Sequence, residues 1–404
     1  MEVLNLLELF TLIIIAGVLF TKLSKLLKLP DVVLFILAGI IMGPHILNLV
    51  NIDRYPVGND LILTFGAAYI LYDGGREIEL KVLNKVKWSL ILVVTLGVFV
   101  SAYITGFFAA AIFKIDFIYA FLIGAVIAST DPSVLVPLFK KMNISNKMKQ
   151  FIISESAFND AAGAIMTFAT LGIITGGSFS IKASAISLLV NSFGGIAVGA
   201  VIGLVASLLV THKKFGCFCE FPAEVGIATV AGAYIVATRL GVSGYMAVFV
   251  VGIICGNKHV FDLRVRDEYL ITQTRFKEVL TLLLRMMIFI LLGTHIDFAS
   301  VAHYWKESLL VVAVLIFLAR PLSVLVSVVW DRQAKWSWKE IVYLMWIRET
   351  GVIPAALAGM IVSMKVPHGN IISSVTFLTI LITLSVQAST AQWLANRLKL
   401  EVRD

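Results

Sequence analysis

Ser154-Glu155-Ser156-Ala157-Phe158-Asn159-Asp160-Ala161-Ala162-Gly163 places two carboxylates, Glu155 and Asp160, five residues apart inside a segment that is otherwise apolar and long enough to cross a bilayer. A carboxylate at the bilayer centre costs on the order of a few kcal/mol, so an ionisable group there is read first as part of an ion or proton site with a partner elsewhere in the chain. At 100° per residue the two lie about 140° apart around a helix and face different surroundings. Asn159, four residues after Glu155, shares its face. Two roles follow: Asp160 faces an aqueous cavity and carries an ion or proton, and Glu155 faces protein and pairs with a base.

The whole chain fits that environment. Of its 404 residues 59% are hydrophobic and 14% are charged, and the mean hydropathy is +0.95. A soluble protein of this length keeps about a quarter of its residues charged, so the expected class is an all-α, polytopic membrane protein, and a soluble enzyme is excluded. Lys plus Arg is 33 and Asp plus Glu is 25, a net charge of +8. Basic cytoplasmic loops account for this excess, and no nucleic-acid partner is expected. The Met1-Glu2-Val3-Leu4 start lacks a basic n-region, so the first apolar helix is expected to remain in the protein. Three cysteines do not form a disulfide framework, and Cys217 and Cys219 are expected to be free thiols in a cytoplasmic loop.

With roughly 20 apolar residues per crossing as the ruler, about thirteen spans are expected, centred near Ile13, Leu37, Ala67, Gly97, Gly124, Ala161, Val198, Gly232, Val248, Ile288, Leu315, Val352 and Leu381. Basic residues cluster after the odd-numbered spans. They are Lys22, Lys25 and Lys28; Arg76, Lys81, Lys85 and Lys87; Lys140, Lys141, Lys147 and Lys149; Lys213 and Lys214; Lys258, Arg264 and Arg266; and Arg332, Lys335 and Lys339. Arg397, Lys399 and Arg403 follow the last span, whereas the even-numbered loops hold few bases, such as Arg54, Lys114, Lys182 and Arg239. This alternation predicts an external N-terminus and a cytoplasmic C-terminus. There is no nucleotide-binding fingerprint and no stretch for a soluble domain, so the energy for transport is expected from an ion gradient.

Two spans carry breaks. In the fifth, Thr130-Asp131-Pro132 sets a carboxylate beside a proline that removes a helix hydrogen bond and pushes Asp131 out of αR geometry. In the twelfth, Gly351 and Pro354 interrupt Arg348-Glu349-Thr350-Gly351-Val352-Ile353-Pro354. The breaks lie seven spans apart, so the two spans run in opposite directions. Paired discontinuous helices in inverted orientation point to a secondary transporter with its site at the midplane. The bases available inside spans are Arg320, Arg348 and Arg285. A buried Arg needs a partner, as Glu155 does, and Arg320 is the expected one. Arg285 is expected to snorkel to the cytoplasmic surface, and Glu349 to neutralise Arg348 locally or to serve the site. Asp73, in Tyr72-Asp73-Gly74-Gly75, is either a site residue or a solvated helix end. The six histidines, His45, His212, His259, His295, His303 and His368, are expected at the interfaces.

Along nearly its whole length the chain resembles the monovalent cation/proton antiporters, in the sodium/proton exchanger branch that carries an Asn-Asp pair. The residues that carry the resemblance are Thr130-Asp131-Pro132, the Ser154–Asp160 run, Leu318-Ala319-Arg320-Pro321 and the broken Arg348–Pro354 segment. The resemblance implies two inverted six-helix repeats with discontinuous crossing helices, and a homodimer in membrane lipid. Within one transmembrane unit over 1–404 it implies a core bundle over 85–175 and 305–396, dimerisation and scaffold helices over 1–84 and 218–292, and a linker helix over 183–211. It assigns Asp160 to alternate binding of cation and proton, with Thr130, Asp131 and Ser156 around the ion and Asp73 as an acidic contributor. The metal ligands would be Asp160, Ser156 and Thr130. Glu155 and Arg320 would be a structural ion pair that orients Asn159, and an Asn at that position goes with electroneutral exchange. Relatives often have Arg-Gly where this chain has Arg348-Glu349-Thr350-Gly351, and Glu where it has Asp73.

The expected function is exchange of protons for a monovalent cation, sodium first and lithium or potassium next, with no resident cofactor and no enzymatic activity. The alternative is a sodium- or proton-coupled carrier of an organic solute. It would want a larger cavity with aromatic or basic anchors, and no cluster beyond the arginines supplies them. A channel would want a filter-like glycine repeat, which is missing. An intramembrane hydrolase could use Asp131 and Asp160, but the arginines and Asn159 fit that chemistry poorly.

Overall fold

The computed structural model describes residues 2–27, 31–44, 46–50, 56–130, 139, 142–175, 181–211, 216–257, 267–294, 296 and 298–401. Asp131 and Pro132 lie outside the described residues. So do Lys28, His45, Arg54, Lys140, Lys141, His212, Lys213, Lys214, Lys258, His259, Arg264, Arg266, His295 and Arg403.

The described chain is helical almost throughout; its one β-bridge joins Ile144 and Glu401. In order the helices are α1 (Glu2–Leu27), α2 (Asp31–Met42), α3 (Pro56–Arg76), α4 (Leu80–Phe113), α5 (Phe117–Ile127), α6 (Asn146–Ile174) and α7 (Ile181–Thr211). There follow α8 (Pro222–Arg239), α9 (Gly244–Gly256), α10 (Asp267–Thr294), α11 (Phe298–Val328), α12 (Trp338–Trp346), α13 (Val352–Ser363) and α14 (Gly369–Leu398). Each predicted span centre lies in one of these helices. Six of the described helices are long and apolar enough to cross a membrane, and shorter apolar helices add to them. All-helical architecture follows from the environment, because in hydrocarbon each backbone polar group must be satisfied within its own segment.

Three long helices contain a π turn: Val93–Gly97 in α4, Leu315–Ala319 in α11 and Thr383–Ala388 in α14. Pro321 explains the second. It has no N–H for the Phe317 carbonyl, and the backbone takes a wider turn in which the Arg320 N–H reaches the Leu315 carbonyl.

The twelfth expected span is interrupted upstream of its proline. The chain leaves α12 at Trp346, is non-helical over residues 347–351, and re-enters a helix at Val352. Pro354 therefore sits in the first turn of α13, where a missing N–H costs no hydrogen bond. The break is made by Ile347 to Gly351, and the proline starts the second half-helix instead of breaking the first.

The chain divides into two compact units. The first comprises Met1–Asp60, Lys85–Ser178 and Met286–Asp404. Its core is an apolar cluster that includes Leu122, Ile123, Ile127, Val311, Leu315, Ile372 and Val375. Close approach of α4 and α5 builds part of it: a methyl at Gly124 would collide with the Ala102 carbonyl. The second unit comprises Leu61–Asn84 and Phe179–Arg285. There α7, α8 and α9 pack together, and Tyr69, Tyr72, Val230, Ala233, Val248 and Val251 form its core. Arg285 is 5% exposed, so it is buried and does not snorkel. Cys217 and Cys219 are free thiols, as expected.

Candidate functional site

The site is assembled on α6, whose start is capped by the Ser145 side chain accepting from the Met148 N–H. Two faces of this helix carry different chemistry. On one, Ser156 and Asp160 follow at helical spacing; on the other, Glu155 and Asn159 do. Glu155, Ser156, Asn159 and Asp160 are all buried.

The Ser156/Asp160 face receives the end of the broken fifth span. Helix α5 stops at Ile127, and Ser129 and Thr130 continue in non-helical conformation. The Ser129 hydroxyl donates to Asp160 Oδ1, and Thr130 Oγ1 donates to Ser156 Oγ at 3.0 Å. Gly163 permits this approach, since a Cβ there would lie 3.0 Å from the Ser129 Cβ. One carboxylate and three hydroxyls thus converge among buried residues, all hard oxygen donors of the kind that suit alkali cations. No cluster of three His, Cys, Asp or Glu groups occurs among the described residues, so nothing there resembles a transition-metal site.

The neighbouring face, about 100° around the helix, carries the ion pair. Arg320 grips Glu155 through both guanidinium Nη atoms, Nη2 to Oε2 at 3.1 Å and Nη1 to Oε1. Asn159 Nδ2 donates to the same Oε1 at 3.4 Å. The structure thus brings Glu155, Arg320 and Asn159 together.

Arg320 does a second thing that the sequence did not reveal. Its Nε donates to the Leu344 carbonyl at 3.1 Å and its Nη2 to the Ile347 carbonyl at 3.0 Å. The Gln387 amide donates to the Trp346 carbonyl at 2.6 Å. These carbonyls belong to the broken end of α12, where the last turn has no intrahelical donors. A cation also complements the partial negative charge of a helix C-terminus. Arg348 does the same for the other broken helix: its Nη2 donates to the Ile127 carbonyl, the last residue of α5, at 2.8 Å, and its Nη1 to Ser101 Oγ at 3.0 Å. The ends of α5 and α12 are therefore each closed by an arginine, and Arg348 donates to Ser101 and Ile127.

Asp73 belongs to the second unit. There it pairs with Lys277 at 2.8 Å and accepts from Thr281 Oγ1 at 3.3 Å, and Lys277 also reaches Glu77 at 3.0 Å. Lys277 was missed in the sequence: it lies well before the tenth span's centre near Ile288, in a helix that begins at Asp267. Ser129 was missed beside Thr130; its place just before the break was the available signal.

A polar lattice ties α4 and the starts of α6 and α12 to the loop after α11. Asp331 accepts from the Ser89 N–H at 2.9 Å and Ser89 Oγ at 2.7 Å, and from the Gln333 and Ala334 N–H groups at 3.0 and 3.1 Å. Burial pushes this carboxyl up, but those hydrogen bonds outweigh it and hold Asp331 below the ordinary carboxylate range. Lys147 pairs with Glu340 at 2.8 Å and lies over the Trp336 ring at 4.3 Å.

Comparison with known proteins bears on what this assembly does. The family described as "Sodium/hydrogen exchanger, transmembrane" matches residues 10–397. The Na(+)/H(+) antiporter 1 of Methanocaldococcus jannaschii is 29% identical over 417 residues, spanning 96% of this chain and 94% of its own. The K(+)/H(+) antiporter NhaP of Alkalimonas amylolytica is 26% identical over 405 residues, spanning 96% of this chain and 67% of its own. The structure of the sodium proton antiporter MjNhaP1 from M. jannaschii at pH 8 superimposes with a TM-score of 0.83 at 28% identity, covering 98% of this chain and 99% of that one.

Proposed function

The chain belongs to the sodium/hydrogen exchanger family, whose members are transporters and not enzymes, and from that premise we propose that it exchanges protons for a monovalent cation at Asp160. The observation that carries the reading is the buried Asp160 carboxylate with the Ser129, Thr130 and Ser156 hydroxyls gathered beside it. Arg320 is engaged by Glu155 and Arg348 by the end of α5.

A proton and a metal cation cannot occupy one carboxylate together, so competition at Asp160 couples the two fluxes without further machinery. In the proton-bound form the acid donates to a neighbouring hydroxyl. In the cation-bound form carboxylate and hydroxyl oxygens replace the ion's hydration shell. Thr130, Ser156 and Asp131 complete the ion site. Sodium is the first candidate substrate, from the name of the archaeal relative, and potassium the second, from the NhaP relatives. With Asn at 159, one charge enters for each that leaves, and exchange is electroneutral. No resident cofactor is needed.

The remaining assignments belong to the same reading. A core bundle over 85–175 and 305–396, built as inverted repeats, moves against scaffold helices over 1–84 and 218–292, joined by the 183–211 linker, in a homodimer. The chain sits in a prokaryotic plasma membrane with its N-terminus outside and its basic loops inside.

The test is dissipation of an imposed pH gradient by sodium, lithium and potassium in proteoliposomes, with and without a membrane-potential clamp. The expected outcome is cation-driven dissipation that ignores the clamp and disappears in Asp160→Asn. Full activity in that variant, or uptake of an organic solute with no cation response, would overturn the proposal.

A further inference from the structure

Glu349 is fully buried, lies in the break between α12 and α13, and is not used by the exchange mechanism. Its surroundings are polar in a pattern that ordinary packing does not produce. Along α14, Thr376, Thr379, Thr383 and Gln387 recur at helical spacing on one face, and none is more than 1% exposed. This face meets the break directly: the Thr350 N–H donates to Thr383 Oγ1 at 3.1 Å, and Gln387 caps the Trp346 carbonyl. Three side-chain atoms at the break, Tyr343 Oη, Thr350 Oγ1 and Gln387 Oε1, are buried and have no hydrogen-bond partner.

A buried polar atom without a partner costs about 1–3 kcal/mol, and native proteins rarely collect several at one place. Buried water that bridges such groups removes the cost. We propose that the break holds bound water that connects Tyr343, Thr350 and Gln387 to Glu349, and that Glu349 exchanges a proton with it, giving the protein a second protonation site apart from Asp160. In that step the Glu349 carboxylate takes a proton from a hydronium ion and leaves a water molecule; the return step reverses this. The other charged or titratable groups against the break are Tyr343 on α12, whose hydroxyl feels the Glu349 charge, Arg348 beside it, Arg320 on α11 and Glu155 on α6. The α14 face contributes hydroxyls and an amide but no charge.

The kinetic arm of the test rests on the exchange reading; the spectroscopic arm does not. In proteoliposomes, Glu349→Gln is expected to move the pH midpoint of exchange by about one unit, the scale set by a charge change inside a buried site, and Glu349→Asp to restore most of it. An unchanged profile in an active Glu349→Gln protein would overturn the proposal. Infrared titration of Asp160→Asn protein, which lacks the proposed ion carboxylate, should show one buried carboxyl stretch that appears as pH falls and shifts in the Asp160→Asn/Glu349→Asp double variant. No such band, or one indifferent to Glu349→Asp, would also overturn it, including where Glu349→Gln fails to fold. Absence of exchange in the wild type would instead refute the antiport reading and leave the infrared result to decide on Glu349.

Discussion

Arg320 makes two kinds of bond, and replacing it separates them. Arg320 and Glu155 are each about 2% exposed, so losing one partner strands a charge inside the protein. Removing one member of a buried pair costs about 3–5 kcal/mol. Arg320→Met pays this on the Glu155 side and also uncaps the Leu344 and Ile347 carbonyls. Each hydrogen bond to a charged donor is worth roughly 1.5–3 kcal/mol net. Glu155→Gln costs less, because Arg320 keeps both carbonyls and the Gln oxygen still accepts. The double variant Glu155→Gln/Arg320→Met removes the stranded carboxylate but leaves the α12 end open. The expected order of thermal stability in detergent is wild type, Glu155→Gln, the double variant, then Arg320→Met, with Arg320→Met lower than Glu155→Gln by about 3 kcal/mol or more, the two lost caps taken at about 1.5 kcal/mol each. A double-mutant cycle gives the coupling. If Arg320→Met is no less stable than Glu155→Gln, or if the double variant recovers wild-type stability, capping of the half-helix by Arg320 contributes nothing and the reasoning fails.

Further outcomes follow from other contacts. Ser129→Ala removes the hydroxyl that donates to Asp160; the expected effect is about tenfold weaker apparent cation affinity in transport assays, the equivalent of roughly 1.4 kcal/mol. Asp331→Asn weakens a lattice that ties several helix ends together and is expected to lower thermal stability at neutral pH. Because the folded carboxyl is held below its unfolded value, this stability is fully present above about pH 4 and is lost as pH falls through the folded pKa, so wild type and variant should converge in acid. Gly124→Ala forces a methyl into the Ala102 carbonyl and is expected to cost about 1–3 kcal/mol, read as a lowered melting temperature.

Much of the fold was legible because a membrane constrains sequence strongly: apolar length finds helices, and buried charges must pair. On that rule Glu155 called for a base, with Arg320, Arg348 and Arg285 available, and the structure sets Arg320 against it although the two lie 165 residues apart. What the rule could not supply is any bond to backbone. The Leu344, Trp346, Ile347 and Ile127 carbonyls carry no signal in their residue types, so the caps made by Arg320, Gln387 and Arg348 stayed hidden. Gly351 and Pro354 were read together as the break of the twelfth span, whereas Gly351 lies within the break and Pro354 sits just after it, where a missing N–H costs nothing. Arg285 was expected at the surface because it borders an apolar run, but α10 extends well before it and buries it. Lys277 was overlooked for the same reason.

The central claim is that cation and proton compete for one carboxylate. It is tested most directly by proton release in a weakly buffered solution of detergent-solubilised protein, followed with a pH indicator as sodium, lithium or potassium is added. The account predicts release approaching one proton per bound cation in the wild type and none in Asp160→Asn. Cation binding without release in the wild type, or undiminished release in Asp160→Asn, would contradict it.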